Sequence, residues 1–369
     1  MTFIPVNEPL LNGNEKKYLN ECIDTGWISS EGPFVKEFEE KFSKRAGRKF
    51  GIAVCNGTAA LEAAVIASGI ESGDEVIMPS FTIISCASAI VRAGGIPVLI
   101  DSESDTWNMN VAQIRSKITS RTKAIMIVHI YGLPVDIDPV IEIAKEFDLK
   151  IIEDAAEVIG QTYKGKPCGS FGDLSTFSFY PNKHITTGEG GMIVTDDPEI
   201  AERCRSLRNL CFGKKRFIHD ELGFNFRMTN LQAALGLAQI ERLDEFIERK
   251  RKIGRLYNEH FKKSSFIELP LKETGFAENI YWVYGIVLKE SSNMSAETAM
   301  KILAEKQIGT RPFFYPMHLQ PVFQNKGLFN NEKYPVSEKL SGYGFYIPSG
   351  LALTEDQIRR TAEAVNSLF

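Results

Sequence analysis

The sequence predicts an α/β protein built on a mainly parallel sheet with helices on both faces. Two observations carry this reading. From about residue 50, short runs rich in Val and Ile recur that are apolar throughout rather than alternating, as strands buried on both faces are. Between them lie Ala- and Leu-rich stretches at helical spacing, so that crossover helices rather than hairpins join successive strands.

The elements follow in order. "GIAVCN" leads into "GTAALEAAVIASGI", whose Ala and Leu spacing suits a buried helix. "DEVIMPS" precedes "ISCASAIVRAGG", "IPVLID" precedes "VAQIRSKI", and "KAIMIVHIYG" precedes "PVIEIAKEFD". "KIIEDAAE", "LSTFSF" and "GGMIVTDD" continue the strand series. The pattern then changes. "MTNLQAALGLAQIERLDEFIERKRKIGRLYNEHF" (228–261) reads as one long helix, with Thr229 and Gln232 at capping-box spacing. "YWVYGIVL", a helix "AETAMKILAEKQI", a Pro- and aromatic-rich loop (310–323) and a last helix from Thr354 complete the chain. The expected division is a large α/β domain over 1–240 and a smaller α+β domain over 241–369, with the long helix as the joint.

Composition narrows the function. The 369 residues are 43% hydrophobic and 24% charged, with a formal net charge of −4. Neither sign dominates, which argues against a nucleic-acid surface. Cys22, Cys55, Cys86, Cys168, Cys204 and Cys211 form no C-x-x-C pair, so reduced thiols in a cytoplasm are expected rather than a metal site or a disulfide framework. No apolar run reaches the ~18 residues of a membrane span, and the N-terminus lacks a basic segment followed by an apolar one.

Ligands of parallel α/β sheets bind outside the carboxyl ends of the strands, and the candidate residues lie there. Asn56, Gly57 and Thr58 join a strand to a helix N-terminus, where free N–H groups and the helix dipole favour a phosphate; the plain alternative is an ordinary turn. Glu153 and Asp154 end a strand expected to be buried, and an acid at that depth needs a partner; a structurally satisfied carboxylate reads equally well. Ser178 ends "LSTFSF", and Lys183 follows beside aromatic residues, where burial lowers an amine's pKa and frees a nucleophile; the alternative is a surface lysine. Asn225 and Arg227 precede a helix cap. Together these supply a phosphate cradle, a deep acid and an amine, the set that pyridoxal phosphate requires.

The motifs "NGTAAL", "GDEVIMPSFT", "VHIYG", "IIEDAAE", "GSFGDLSTFSFYPNKHITTGEGGMIVTDD" and "FNFRMTNLQAALGLAQIERLD" resemble those of the DegT/StrS-type sugar aminotransferases, in order and over nearly the whole chain. The resemblance implies the fold type I of pyridoxal-phosphate transferases, with a mainly parallel seven-stranded sheet. It also implies a cytoplasmic homodimer or tetramer with shared active sites, and transfer of an amino group from L-glutamate, by way of pyridoxamine phosphate, to C4 of a nucleotide-linked 4-keto-6-deoxyhexose. "GNEKKYLNECIDTGWISSEGPFVKEFEEKF" and "TRPFFYPMH" are most similar to the branch that forms GDP-perosamine for surface polysaccharide. UDP- or dTDP-linked substrates are the alternatives, and the second alternative is a keto-deoxysugar 3-dehydratase.

Carried over by motif, Lys183 would bind the cofactor's aldehyde and shuttle the proton, and Asp154 would pair with the ring nitrogen. Glu157 would lie near the ring hydroxyl. Gly57, Thr58 and Ser178 would hold the phosphate, with Asn225 reaching from the partner subunit. Ile83 stands where the family offers a stacking aromatic. Trp27, Ser29, His184, Arg311, Tyr315 and His318 fall in regions that line the sugar-nucleotide pocket. The dehydratase branch has histidine at the lysine position. Here Lys183 occupies that position and His184 follows it, so the lysine is expected to act. No metal site is implied.

Overall fold

The computed structural model describes residues 2–215 and 217–369. The large domain is built on strands β1 (Phe50–Val54), β2 (Glu75–Pro79), β3 (Ile96–Ile100), β4 (Thr122–Val128) and β5 (Lys150–Asp154). After a small ribbon of β6 (Thr162–Tyr163) and β7 (Lys166–Pro167), β8 (Leu174–Ser178) and β9 (Gly191–Thr195) complete its sheet. The seven strands lie in the order β1-β9-β8-β5-β4-β2-β3. Every pairing is parallel except those of β9 with β1 and β8. The continuous apolar runs are explained by burial on both faces: β2 and β9 are buried along their whole lengths. The Ala-rich helix Gly57–Ala67 is buried over most of its surface too, because small side chains let it lie close to the sheet.

The smaller C-terminal domain carries an antiparallel sheet of β10 (Ile267–Glu268), β11 (Tyr284–Leu288), β12 (Arg311–Pro312) and β13 (Gly344–Ile347), ordered β10-β11-β13-β12. Its core is a separate cluster around Tyr257, Tyr284, Ile286, Leu303 and Phe345. Among the described residues, no helix is long and apolar enough to cross a membrane.

The long helix expected over 228–261 is two helices, Asn230–Ile240 and Leu243–Phe261. The expected capping box does open the first, with Thr229 and Gln232 bonding reciprocally. No Gly or Pro marks the break at Glu241–Arg242, where Arg242 adopts φ −115° and ψ 12°. The two halves pack on different partners, the first against helices Glu15–Thr25 and Pro33–Arg45, the second against the C-terminal helix Glu355–Asn366. Tertiary packing overrides a helical pattern that runs through the joint.

Glu153, one of the two acids at the end of β5, is fully buried and bound on all sides. It accepts from Gly169 N (2.6 Å), Phe171 N (3.0 Å) and Ser175 Oγ (2.8 Å). His129 Nδ1 accepts the Val135 N–H (3.1 Å), so its Nε2 carries the proton and donates to Glu153 at 3.0 Å. The side chain therefore ties the 168–172 turn to the sheet instead of facing a ligand. Replacing Glu153 by Ala would orphan these buried donors, so a loss of about 3 kcal/mol or more is expected. Urea unfolding of Glu153→Ala against the parent measures it.

Candidate active site

The carboxyl ends of β5 and β8 and the N-terminus of the helix Gly57–Ala67 enclose a cavity of about 660 Å³, lined among others by Gly57, Thr58, Ile83, Asp154, Glu157, Ser178 and Lys183. The strand–helix turn after β1 explains the first two. Asn56 is extended and caps the helix, its Oδ1 accepting the Ala59 N–H at 2.8 Å. That leaves the first N–H groups of the helix facing the cavity, without intrahelical acceptors. Gly57 allows the close approach. A Cβ there would lie 2.7 Å from Ser178 Cβ, and one at Gly191 would lie 2.5 Å from the Asn56 carbonyl oxygen. β1, β9 and β8 are thus drawn together where a phosphate would sit. Thr58 Oγ1 meets Ser85 Oγ at 2.9 Å, and Ile83 is exposed into the same space.

Asp154 is the last residue of β5 and is buried. Its Oδ1 accepts the Ala156 N–H (3.1 Å) and its Oδ2 lies 3.3 Å from Cys86 Sγ. Burial raises its pKa against the opposing pull of those hydrogen bonds and of Lys183. Lys183 stands on the connection between β8 and β9. Its Nζ is 3.6 Å from the centre of the Trp282 ring and 4.0 Å from Glu157 Oε1. Glu157 Oε2 accepts the Tyr131 N–H at 2.9 Å.

At 4.0 Å the Lys183–Glu157 contact has the geometry of an ion pair, yet burial lowers the Lys183 pKa and raises that of Glu157 to about 8. The two observations conflict, and magnitudes decide between them. Coulomb attraction at that distance amounts to about 4 kcal/mol at an effective dielectric of 20, whereas each ion forgoes several kcal/mol of hydration. Desolvation outweighs the attraction, lowering the one pKa and raising the other. An uncharged lysine amine is the nucleophile that a carbonyl requires.

Trp282, which packs on that amine, is itself held. Its Nε1 donates to the Asn182 carbonyl (2.8 Å), and its own carbonyl accepts from Lys250 Nζ (2.8 Å). Lys250 is buried, also donates to the Ser349 carbonyl (2.7 Å), and burial lowers its pKa to about 7. Trp282, Phe314 and Tyr346, from the C-terminal domain, line the cavity. The sequence reading missed all three, because they sit in apolar or aromatic runs that read equally well as core.

Other expected residues lie elsewhere. His184 is fully buried, its Nε2 3.5 Å from the Ile280 carbonyl oxygen, and it is not among the residues lining the cavity. His318 is buried against the Tyr334 ring, bonds Glu338 Oε1 at 2.9 Å and is not among the residues lining the Lys183 cavity. Trp27 and Ser29 line a second cavity of about 1020 Å³ with Arg205, Arg208 and Arg227, apart from Lys183 of the same chain. Asn225 is exposed and bridges the backbone of Asn209, also outside the Lys183 cavity. Arg311 and Tyr315 are exposed; Arg311 lies across from the cavity residue Tyr346 in the β12–β13 pairing.

A family model described as the DegT/DnrJ/EryC1/StrS aminotransferase family matches residues 9–366. The chain belongs to that family. This aminotransferase is 43% identical over 370 residues to a GDP-perosamine synthase of Escherichia coli O157:H7, covering 100% of this chain and 99% of that protein. It is 41% identical to a GDP-perosamine synthase of Vibrio cholerae, covering 99% of each. Among solved structures, DesV of S. venezuelae, crystallised with a ketimine intermediate, superposes with a TM-score of 0.92 at 28% identity, covering 100% of this chain and 98% of that one. The enzyme is therefore a pyridoxal-phosphate aminotransferase of fold type I, and the cavity fits that cofactor: a helix N-terminus for a phosphate, a buried acid for a ring nitrogen, and a desolvated amine for an aldehyde.

The Glu157 carboxyl generates a pH prediction. Because its folded pKa is raised from 4.5 to about 8, the stability it contributes is full below pH 4.5 and is lost as pH rises through about 8. Glu157→Gln lacks that slope. The variant apoprotein should melt higher than the parent at pH 9 and alike at pH 4, as thermal scans across this range will show.

Proposed function

We propose that this enzyme transfers the amino group of L-glutamate to C4 of a GDP-linked 4-keto-6-deoxyhexose, GDP-4-keto-6-deoxy-D-mannose, giving GDP-perosamine and 2-oxoglutarate. The observation that carries the chemistry is the Lys183 amine, largely shielded and with its pKa lowered by desolvation, sharing one cavity with Asp154 and the helix N-terminus at Gly57. The choice of sugar nucleotide is supported by the names of the full-length relatives above.

When bound, pyridoxal phosphate carries the amino group between the two substrates and acts as the electron sink for proton removal at the reacting carbon. The chain supplies the rest. Gly57 and Thr58 offer backbone N–H groups, and Ser178 a hydroxyl, to the phosphate. Asp154 would pair with the ring nitrogen and hold its proton there. Glu157 would lie near the ring hydroxyl, and Ile83 would offer a ring face apolar contact in place of stacking. Lys183, its pKa lowered by desolvation, would take the proton from the reacting carbon and return it on the other side of the transfer. Trp282 excludes water from the amine.

We also propose a homodimer working in the cytoplasm, in which Trp27, Ser29 and Asn225 serve the partner's cavity; their distance from the Lys183 cavity of their own chain supports this. Arg311 and Tyr315 are placed at the sugar-nucleotide mouth. A domain boundary at 240/241 is supported by the helix break there.

Lys183→Ala should abolish turnover and the cofactor's protein-bound absorbance band while leaving the circular dichroism unchanged. Mass analysis of the product from GDP-4-keto-6-deoxy-D-mannose and glutamate should show oxygen replaced by NH₂ and one H added. Loss of oxygen without gain of nitrogen would mark a dehydratase instead, and turnover confined to UDP- or dTDP-linked sugars would refute the GDP assignment.

A further inference from the structure

Among the described residues, the Asp154 carboxylate accepts a single backbone hydrogen bond. The Ala156 N–H takes Oδ1, and about that single bond a carboxyl can still swing, since the torsion to a terminal carboxylate is broad. The other oxygen, Oδ2, meets the thiol of Cys86 at 3.3 Å. Cys86 lies in the first turn of the helix Ile84–Arg92 and is wholly buried. Burial, and then the field of Asp154, raise its pKa well above the usual thiol value, so it remains S–H and can only donate toward a carboxylate. Thr82 Oγ1, 3.6 Å from the sulfur, completes a short chain from hydroxyl to thiol to carboxylate, in which each bond polarises the next. The residue before it, Ser85, meets Thr58 at the phosphate end of the cavity. One helical turn therefore touches both ends of the site.

We propose that Cys86 is a positioning residue: its thiol donates to Oδ2 of Asp154 and holds that carboxylate aimed at the cofactor's ring nitrogen. The inference rests on the Asp154 role given above. It makes the thiol more than filler, because an apolar residue of the same size would pack as well but leave Oδ2 without a donor.

Two ligands separate these roles: pyridoxal 5′-phosphate and its 1-deaza analogue, whose ring carries C–H in place of the nitrogen. Each is titrated into the full-length apoprotein and its dissociation constant read from absorbance. The parent should bind the natural cofactor more tightly than the analogue. Cys86→Ala, and the better-filled Cys86→Val, should weaken the natural cofactor roughly tenfold, the scale of one hydrogen bond to a charged group. Neither should change the analogue, and Cys86→Ser should restore the parent's preference. A variant that keeps the full preference, or loses affinity equally for both ligands, overturns the role of Cys86. A parent that binds both ligands alike overturns the Asp154 assignment, and this inference with it.

Discussion

Asp154, Glu157 and Lys183 lie largely shielded on one cavity, between the sheet and the Trp282 ring, and the character of the site follows from that loss of hydration. In bulk water the three would be two anions and a cation, each well hydrated and chemically inert. Here the loss of hydration outweighs mutual attraction, so the Glu157 pKa rises and that of Lys183 falls. The sheet is what makes withdrawal possible. Parallel strands buried on both faces end together, and their last residues project into a space that helices and the C-terminal domain close over.

The same exclusion demands that polar groups not used in chemistry be answered within the protein. Neighbouring residues on β5 illustrate the two outcomes. Glu153 points to one face and is saturated by a histidine, a serine and two backbone N–H groups. Asp154 points to the other and, among the described residues, accepts from two donors, which leaves it capacity for a ring N–H. Period-two alternation along a strand thus sorts a structural acid from the one proposed to meet the cofactor.

Much of this was legible in the sequence because strand ends are. The apolar runs located β1, β4, β5 and β8, and the polar residues just past them, Gly57, Asp154, Ser178 and Lys183, are the ones the cavity gathers. What the sequence concealed came from the C-terminal domain or from side-chain direction. Trp282, Phe314 and Tyr346 reach the cavity by domain packing, which leaves no local mark. His184 and His318 sit in suggestive motifs, but a histidine's neighbours in space decide whether it faces solvent or core. The break at Glu241–Arg242 lacks Gly or Pro, since it is imposed by two sets of packing partners.

The reversal of β9 has a consequence of its own. Because β8 and β9 run in opposite directions side by side, no crossover helix is needed between them, and the chain from 179 to 190 is free to be a loop. The amine proposed to react, that of Lys183, is therefore mounted on the part of the molecule least constrained by periodicity. A side chain exchanged there disturbs no helical register and no ladder of hydrogen bonds, so new chemistry can arise on this scaffold by changing one residue of a connector while the framework beneath it stays as it is.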